Sequence, residues 1–491
     1  MERREFLKLG AAAAGAVLSG QAAPGATLDP ARPRMIGLPI SVRPLAQDDL
    51  DRIFGDMRER AGANAVFPFL YSHEAHRGGL PERGYRGGNF AEPHLEYYRG
   101  GPFSYADMRA PEFGTLDVLA RALPVAQRHG IRIFPFILED NSRPAAVPAW
   151  EPLYEVDHHG RRATGHPGGP CFNNPGYQAF TLSLVEDYAR SYPIGGLMWG
   201  SERQSGLLNT LAWSQSAGEN PARTTCFCEF CQRKGRSQGI AVERARAGFD
   251  ALEKGVIAAR SSKRRPRDGA LTGVWRVLLK YPEVLAWGNL WATSRHEFQE
   301  AIYRKVKSID PSLLVGWHAW QNISFSPLQR AEEDLTEMAR YSDFIRPAVY
   351  NHAGGPRLKS FVKGARESLL GDLSGPEALG FLCRTLGYDH EASYDRIAQT
   401  GLSADYVEHE TRRAVEAVAA AGASTQIWPG MDIDVPYPSD MVPCTPESVG
   451  QAVEAVFRAG AQGIILSRNY EEMKPENLTG AGTALRRLGL I

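Results

Sequence analysis

The chain has 491 residues, 43% of them hydrophobic, with 56 basic and 56 acidic side chains. That length holds one large domain or two, and the composition excludes a disordered, collagen-like or coiled-coil chain. A formal net charge of zero gives no support to nucleic-acid binding, which needs a concentrated positive surface.

In chain order, the first feature is Arg3-Arg4 followed by Phe6-Leu7-Lys8, then a mildly apolar Ala/Gly/Leu stretch and the small residues of 21–26. A charged start, a short apolar middle and a small-residue cleavage zone predict a twin-arginine export signal over residues 1–26. The expected location is therefore periplasmic or secreted. The stretch is too short and too rich in Ala and Gly to be a good membrane span, and no other apolar run approaches ~18 residues. No membrane association is expected once the signal is removed, and residues 27–491 are expected to form the folded part.

Strand-like apolar runs then alternate with helix-like stretches. Strand one is predicted at 35–42, followed by a helix over 49–61 with Leu50, Ile53, Phe54 and Met57 at helical spacing. Strand two is predicted at 63–71, and a long loop rich in Gly, Tyr and Arg runs from there to about 113. A helix over 115–129 leads to strand three at 131–138, which ends in Glu139-Asp140. A second long loop, to Pro175, carries Trp150, His158, His159, His166 and Cys171. After a helix over 177–190, strand four at 194–200 ends in Ser201-Glu202-Arg203.

Residues 203–285 read as a helical and Cys-rich insertion, with the basic cluster at 263–267 a solvated turn. A long helix is predicted over 287–308, strand five at 313–320 and strand six at 344–350. A helix over 404–421 precedes strand seven at 424–430. Thr445-Pro446-Glu447 is a helix start, with a capping hydroxyl, proline in the first turn and an early carboxylate. Strand eight is predicted at 463–467 and a closing helix at 480–488. Eight strands separated by helices predict an α/β fold, a (β/α)8 TIM barrel with long loops after strands two, three and four. Its active site should lie at the C-terminal strand ends. The competing open doubly wound sheet lacks support, because no Gly-rich phosphate loop follows strand one.

The strand ends carry the candidate chemistry. Glu202 closes strand four, His318 and Trp320 close strand five, and Tyr350 closes strand six. Asp432 and Asp434 follow strand seven, and Arg468 and Glu472 follow strand eight. Trp199, Trp317 and Trp428 lie among them. Tryptophan faces with carboxylates at a barrel mouth suit a carbohydrate or glycoside substrate, the rings stacking on a sugar and the carboxylates supplying acid, base or nucleophile. Three of the six cysteines, Cys226, Cys228 and Cys231, form C-x-C-x-x-C. They are too close to pair easily with one another and suit convergence on one ion. The rival is one disulfide with free thiols in an oxidising compartment. Cys383 and Cys444 read as buried thiols that an exported chain could pair.

From Gly160 to Cys231 the chain resembles the family 42 beta-galactosidases of the large retaining glycoside hydrolase clan. The matching elements are Gly160-Arg161-Arg162, Cys171, Asn173-Asn174-Pro175-Gly176-Tyr177, Glu202 at a strand end, and Cys226, Cys228 and Cys231. The resemblance implies that Glu202 is the general acid/base. It also implies that Cys171, Cys226, Cys228 and Cys231 bind a structural zinc. Two departures point to a related, separate family. Ser201 stands where that family has an Asn that binds the sugar 2-hydroxyl, and strand seven offers Asp432 and Asp434 in place of a nucleophilic Glu. An Asp nucleophile must approach the sugar more closely, or the reaction inverts across a wider carboxyl gap.

The expected function is thus glycosidic-bond cleavage, with Glu202 as acid/base, a strand-seven Asp as nucleophile or base, and Trp199, His318, Trp320, Tyr350, Trp428 and Glu472 around the sugar. Asp432 and Asp434 are equally readable as loop caps, Glu472 as part of the closing helix, and Glu202 as a rim partner of Arg203 or Arg468. The alternatives are a non-catalytic sugar-binding barrel, and a lyase or isomerase with His318 or Tyr350 as base. The sugar, the linkage and the oligomeric state stay open.

Overall fold

The structure, a computed structural model, describes residues 34–72, 88–99, 103–110, 113–139, 147–163, 168–214, 226–262, 267–436 and 440–491. The predicted signal segment, His166, Asp140 and most of the basic cluster lie outside these residues.

Twelve strand segments occur among them. They are β1 (Met35–Ile40), β2 (Ala65–Pro68), β3 (Tyr71–Ser72), β4 (Gly88–Asn89), β5 (Arg132–Ile133) and β6 (Phe136–Leu138). The rest are β7 (Gly196–Gly200), β8 (Leu314–Ala319), β9 (Phe344–Pro347), β10 (Gln426–Ile427), β11 (Gly430–Asp432) and β12 (Gly463–Ser467). They form two sheets, one ordered β11-β12-β1-β2-β5 and the other β10-β9-β8-β7-β6-β3-β4. Every pairing is parallel except β3 with β4.

Each of the eight predicted strands is represented, but three are interrupted. Strand two is split at Phe69-Leu70, between β2 and β3, and strand three at Phe134-Pro135, with β5 in one sheet and β6 in the other. Strand seven is split likewise at Trp428-Pro429. A proline supplies no N–H to a ladder, so a central strand breaks there. Backbone bonds bridge the breaks, from Phe134 N to Val66 O (2.9 Å) and from Ile465 N to Pro429 O (2.8 Å).

The strands present alternate residues to opposite sides. Ile36, Leu38, Leu197, Trp199, Val315, Trp317, Ile345 and Leu466 face the helices in one large buried cluster. Met35, Phe67, Phe134, Met198, Phe344, Trp428 and Ile465 meet in a second cluster between the strands. There the Phe344 and Trp428 rings stack with centroids 4.0 Å apart, and Phe67 stacks on Phe134 at 5.0 Å.

Helices follow the predicted caps. Asp49 accepts from the Asp51 and Arg52 N–H groups at the start of Leu50–Ala61, and Thr445 accepts from Ser448 N at the start of Pro446–Arg458. The region after β7 is helical as expected, with Glu229–Ser237, Val242–Ser262 and Ala270–Lys280 before the long helix Glu283–Ile309. Two helices, Gly354–Ala365 and Gly375–Leu386, were not predicted, because glycines and prolines open both. Among the described residues no helix is long and apolar enough to cross a membrane.

Candidate active site

An open cavity of ≈ 630 Å³ lies at the C-terminal ends of the strands, lined by Glu202, His318, Trp320, Arg346, Tyr350, Arg357 and Arg468 among others. Phe69, Phe136 and Leu138 line it as well, and these three belong to the apolar cluster between the strands.

Glu202 and Arg203 are neighbours with opposite fates. Arg203 is buried between two carboxylates, 2.6 Å from Glu139 and 2.9 Å from Glu155. Its Nη2 also donates to Pro170 O at 2.9 Å, and its guanidinium lies over the Phe172 ring. Gly169 is required beside it, since a Cβ there would stand 2.9 Å from the guanidinium carbon. Burial pushes the Glu155 carboxyl up, opposed by the Arg203 charge and a Trp291 hydrogen bond. Glu202 faces the cavity instead, its side chain 26% exposed, with Oε1 3.4 Å from His318 Nε2. Arg468, the other partner considered from the sequence, pairs with Glu472 through an Nε to Oε2 bond of 2.9 Å.

The imidazole of His318 has a defined tautomer. Arg346 Nη1 lies 2.6 Å from its Nδ1. A guanidinium only donates, so Nδ1 accepts and the ring proton sits on Nε2, aimed at Glu202. His318 therefore hands a hydrogen bond to Glu202 and has no lone pair free to act as a base. Arg346 comes from β9, inside an apolar run, and is 3% exposed. Its Nη2 donates to Tyr350 Oη (2.7 Å) and Ser467 Oγ (2.6 Å). Its guanidinium fits only because residue 430 is glycine, where an added Cβ would come within 2.5 Å of it. Two cations lie near the Tyr350 ring, Arg346 5.7 Å and Arg357 5.3 Å from its centroid.

The strand-seven aspartates are placed elsewhere. Asp432 is 1% exposed and accepts from Ala353 N (2.8 Å) and Val435 N (3.2 Å), holding the loop after β9. Burial raises its carboxyl. Asp434 accepts from Lys474 N and Asn477 Nδ2, both at 2.9 Å, and so pins the start of the last helix. Neither lines the cavity, and of the two readings weighed for them the loop-cap one describes their hydrogen bonds. Trp199 packs outward against Phe298 and Trp317, and Trp428 lies in the aromatic layer below the cavity. Of the expected sugar contacts, His318, Trp320 and Tyr350 line the cavity, whereas Trp199, Trp428 and Glu472 do not. Arg346, Arg357 and Gln321 were not foreseen as site residues. The available signal was a charge at an inward position of an otherwise apolar strand.

Behind β7, Ser205 binds Glu332 through its hydroxyl and its N–H. Burial pushes this carboxyl up to about 8, against the lowering effect of the Ser205 bonds. An acid raised on folding binds more protons in the folded chain, so its contribution favours folding at low pH. The expected result is that stability from this group is full below about pH 4.5 and lost as pH rises through about 8. Urea unfolding of Glu332→Gln across that window checks it, the variant showing a flatter pH profile.

The four cysteines of the sequence motif come together. Cys171 Sγ is 3.5 Å from Cys228 Sγ and 3.4 Å from Cys231 Sγ, and all four sulfurs lie within 4.8 Å of one another. Val156 N donates to Cys226 Sγ at 3.3 Å, and Asn173 Nδ2 to Cys231 Sγ at 3.3 Å. Such donors suit thiolates. The separations are far longer than a disulfide at ~2.05 Å and near the ~3.8 Å between ligands of a tetrahedral Zn–S site at ~2.3 Å. The donor set fits a closed zinc site. No disulfide joins Cys383 to Cys444.

No known family profile and no curated protein matches the sequence. Solved structures do match. The beta-galactosidase of the Antarctic haloarchaeon Halorubrum lacusprofundi aligns over 93% of this chain and 58% of its own, with 15% identity and a TM-score of 0.50. Alpha-L-fucosidase isoenzyme 2 of Paenibacillus thiaminolyticus aligns over 93% and 49%, at 12% identity and a TM-score of 0.49. The catalytic domain of the Paenibacillus polymyxa beta-amylase aligns over 92% and 98%, at 11% identity and a TM-score of 0.49. The chain has an α/β fold with parallel sheets, similar to that of the Halorubrum protein, and it spans a little over half the length of that protein.

Proposed function

We propose that this protein cleaves a glycosidic bond, with Glu202 as general acid/base. The supporting observation is its placement, a partly exposed carboxylate at the end of β7, in a cavity at the C-terminal strand ends of a glycosidase fold. We read the two sheets as halves of one eight-stave barrel, joined at the interrupted strands two, three and seven. Protonated Glu202 gives its proton to the glycosidic oxygen as the bond to C1 breaks. The His318 N–H steadies the carboxylate that forms.

The second group differs from the strand-seven Asp expected from the sequence. Asp432 and Asp434 are engaged with backbone and Asn477 donors. Among the described residues Glu202 is the only carboxylate lining the cavity. The nucleophile is then water itself or the Tyr350 hydroxyl, since a tyrosine replaces the carboxylate in some glycosidases. The two leave different products. Direct attack by water from the face opposite Glu202 inverts the anomeric centre and sends the water's proton to solvent, whereas a Tyr350 adduct is released by a water that Glu202 deprotonates, with retention. The test is a panel of aryl glycosides, with released phenol followed by absorbance and the first-formed anomer by NMR. Saccharide binding without turnover on any member would favour the sugar-binding alternative. A second reading, elimination from an acidic sugar, is favoured by the arginines of the cavity wall, with Tyr350 as base because His318 has no free lone pair. It would yield an unsaturated product.

The four thiolates are proposed to hold one zinc ion, which has no open position and supplies only a clamp between the Cys171 loop and the helix Glu229–Ser237. The purified chain is expected to contain one zinc per molecule by elemental analysis, and to lose thermal stability on chelation. Full stability in a zinc-free preparation would refute this. Export by the twin-arginine route, which carries folded proteins, is part of the same proposal and suits metal uptake before export.

A further inference from the structure

We propose that the sugar accepted by this cavity is anionic, carrying a carboxylate or a sulfate ester, and that Arg346, Arg357 and Arg468 form its anion-binding wall. This rests on the glycoside-cleaving reading above and names its substrate class.

The charge balance of the wall carries the inference. Three guanidinium groups and one carboxylate line the cavity. Arg468 is matched by Glu472, and Asp432 lies near enough to Arg357 for the two charges to interact. Arg346 differs. Its side-chain partners are a neutral imidazole, a phenol and a serine hydroxyl, and among the described residues no carboxylate pairs with it. It is 3% exposed, and its Nε is buried without a partner. A buried cation ordinarily has a counter-charge, because leaving water costs several kcal/mol per ion. Glu202 lies one imidazole away, through His318. When Glu202 carries the proton it must deliver, even that charge is gone, and the wall faces the sugar with cations alone.

Arg346 and Arg357 also crowd the same ring, Tyr350, from 5.7 and 5.3 Å. Both cations thus border the same part of the cavity wall. Arginine forks bind planar carboxylates in pairs, and a sulfate ester presents tetrahedral oxygens much as a phosphate does. A neutral sugar would leave the field of the wall unanswered, whereas an acidic one completes it. A phenol at this position is consistent with the same substrate, since a second carboxylate would repel an anionic ring.

The experiment pairs each acidic sugar with its neutral parent. Aryl glucuronide, galacturonide and 6-sulfated galactoside are compared with aryl glucoside and galactoside by kcat/KM. Binding of free glucuronate, galacturonate, galactose 6-sulfate, glucose and galactose to Glu202→Gln is measured by calorimetry. At least a tenfold preference for an acidic member is expected in both assays, and the uronate and sulfate arms identify the anion. Arg357→Gln should bring the acidic-to-neutral ratio down toward one while the circular dichroism spectrum is kept. Equal or better handling of the neutral sugars overturns the anionic assignment and leaves glycoside cleavage standing. Tight acidic-sugar binding with an unsaturated, ultraviolet-absorbing product keeps the anionic wall and overturns hydrolysis. Absence of any preference in binding overturns the proposal outright.

Discussion

Glu202→Gln is expected to lower turnover of an alkyl or oligosaccharide substrate by about 10²–10⁴-fold, the range that one positioned acid/base supplies. The amide has the same shape and still accepts from His318 Nε2, so thermal stability should stay within about 0.5 kcal/mol, as for other partly exposed changes. What vanishes is the proton given to the departing oxygen. The defect should therefore shrink as the leaving group becomes more acidic. A dinitrophenyl glycoside, whose phenolate departs without protonation, should be cleaved at close to the wild-type rate in its first step. A nucleophilic role would show the reverse, with the loss undiminished by a better leaving group. Unchanged activity on unactivated substrates would remove Glu202 from the mechanism.

Arg203→Met is expected to be the most destabilising single change near the site. Arg203 lies between Glu139 and Glu155, and all three side chains are no more than 2% exposed. Removing the cation leaves two buried carboxylates facing each other, a cost of about 3–5 kcal/mol. Part of that cost is relieved by protonation, so the defect should be worse at high pH than at low pH. The Pro170 carbonyl also loses its donor, which loosens the approach to Cys171. Urea denaturation measures the loss. The triple variant Arg203→Met, Glu139→Gln, Glu155→Gln should recover much of it, because the penalty lies in uncompensated charge rather than in missing volume. Equal stability of single and triple variants would show that the packing of Gly169 and Phe172 against the guanidinium dominates instead.

Fold class and strand positions were legible because apolar runs and helical spacing report burial locally. The breaks in strands three and seven were visible as Pro135 and Pro429, yet a proline does not say that the halves of its strand will join different sheets. The side a strand residue faces was less legible. Trp199 and Met198 are both apolar, and only the folded chain shows that Met198 points between the strands while Trp199 points to the helices. Asp432 and Asp434 look alike in sequence, but a backbone at φ 53° turns Asp434 toward Asn477. The thiol cluster was legible from spacing for Cys226, Cys228 and Cys231, and from family resemblance for Cys171. Arg346 was hidden by its neighbours, since a single charge in Phe344–Pro347 reads as a strand edge until its inward position is known.

The stacked Phe67, Phe134, Phe344 and Trp428 rings fill the space between the strands beneath the cavity. The space between the strands is therefore packed with side chains rather than open as a channel, so a ligand of this cavity lies above the rings and not among them.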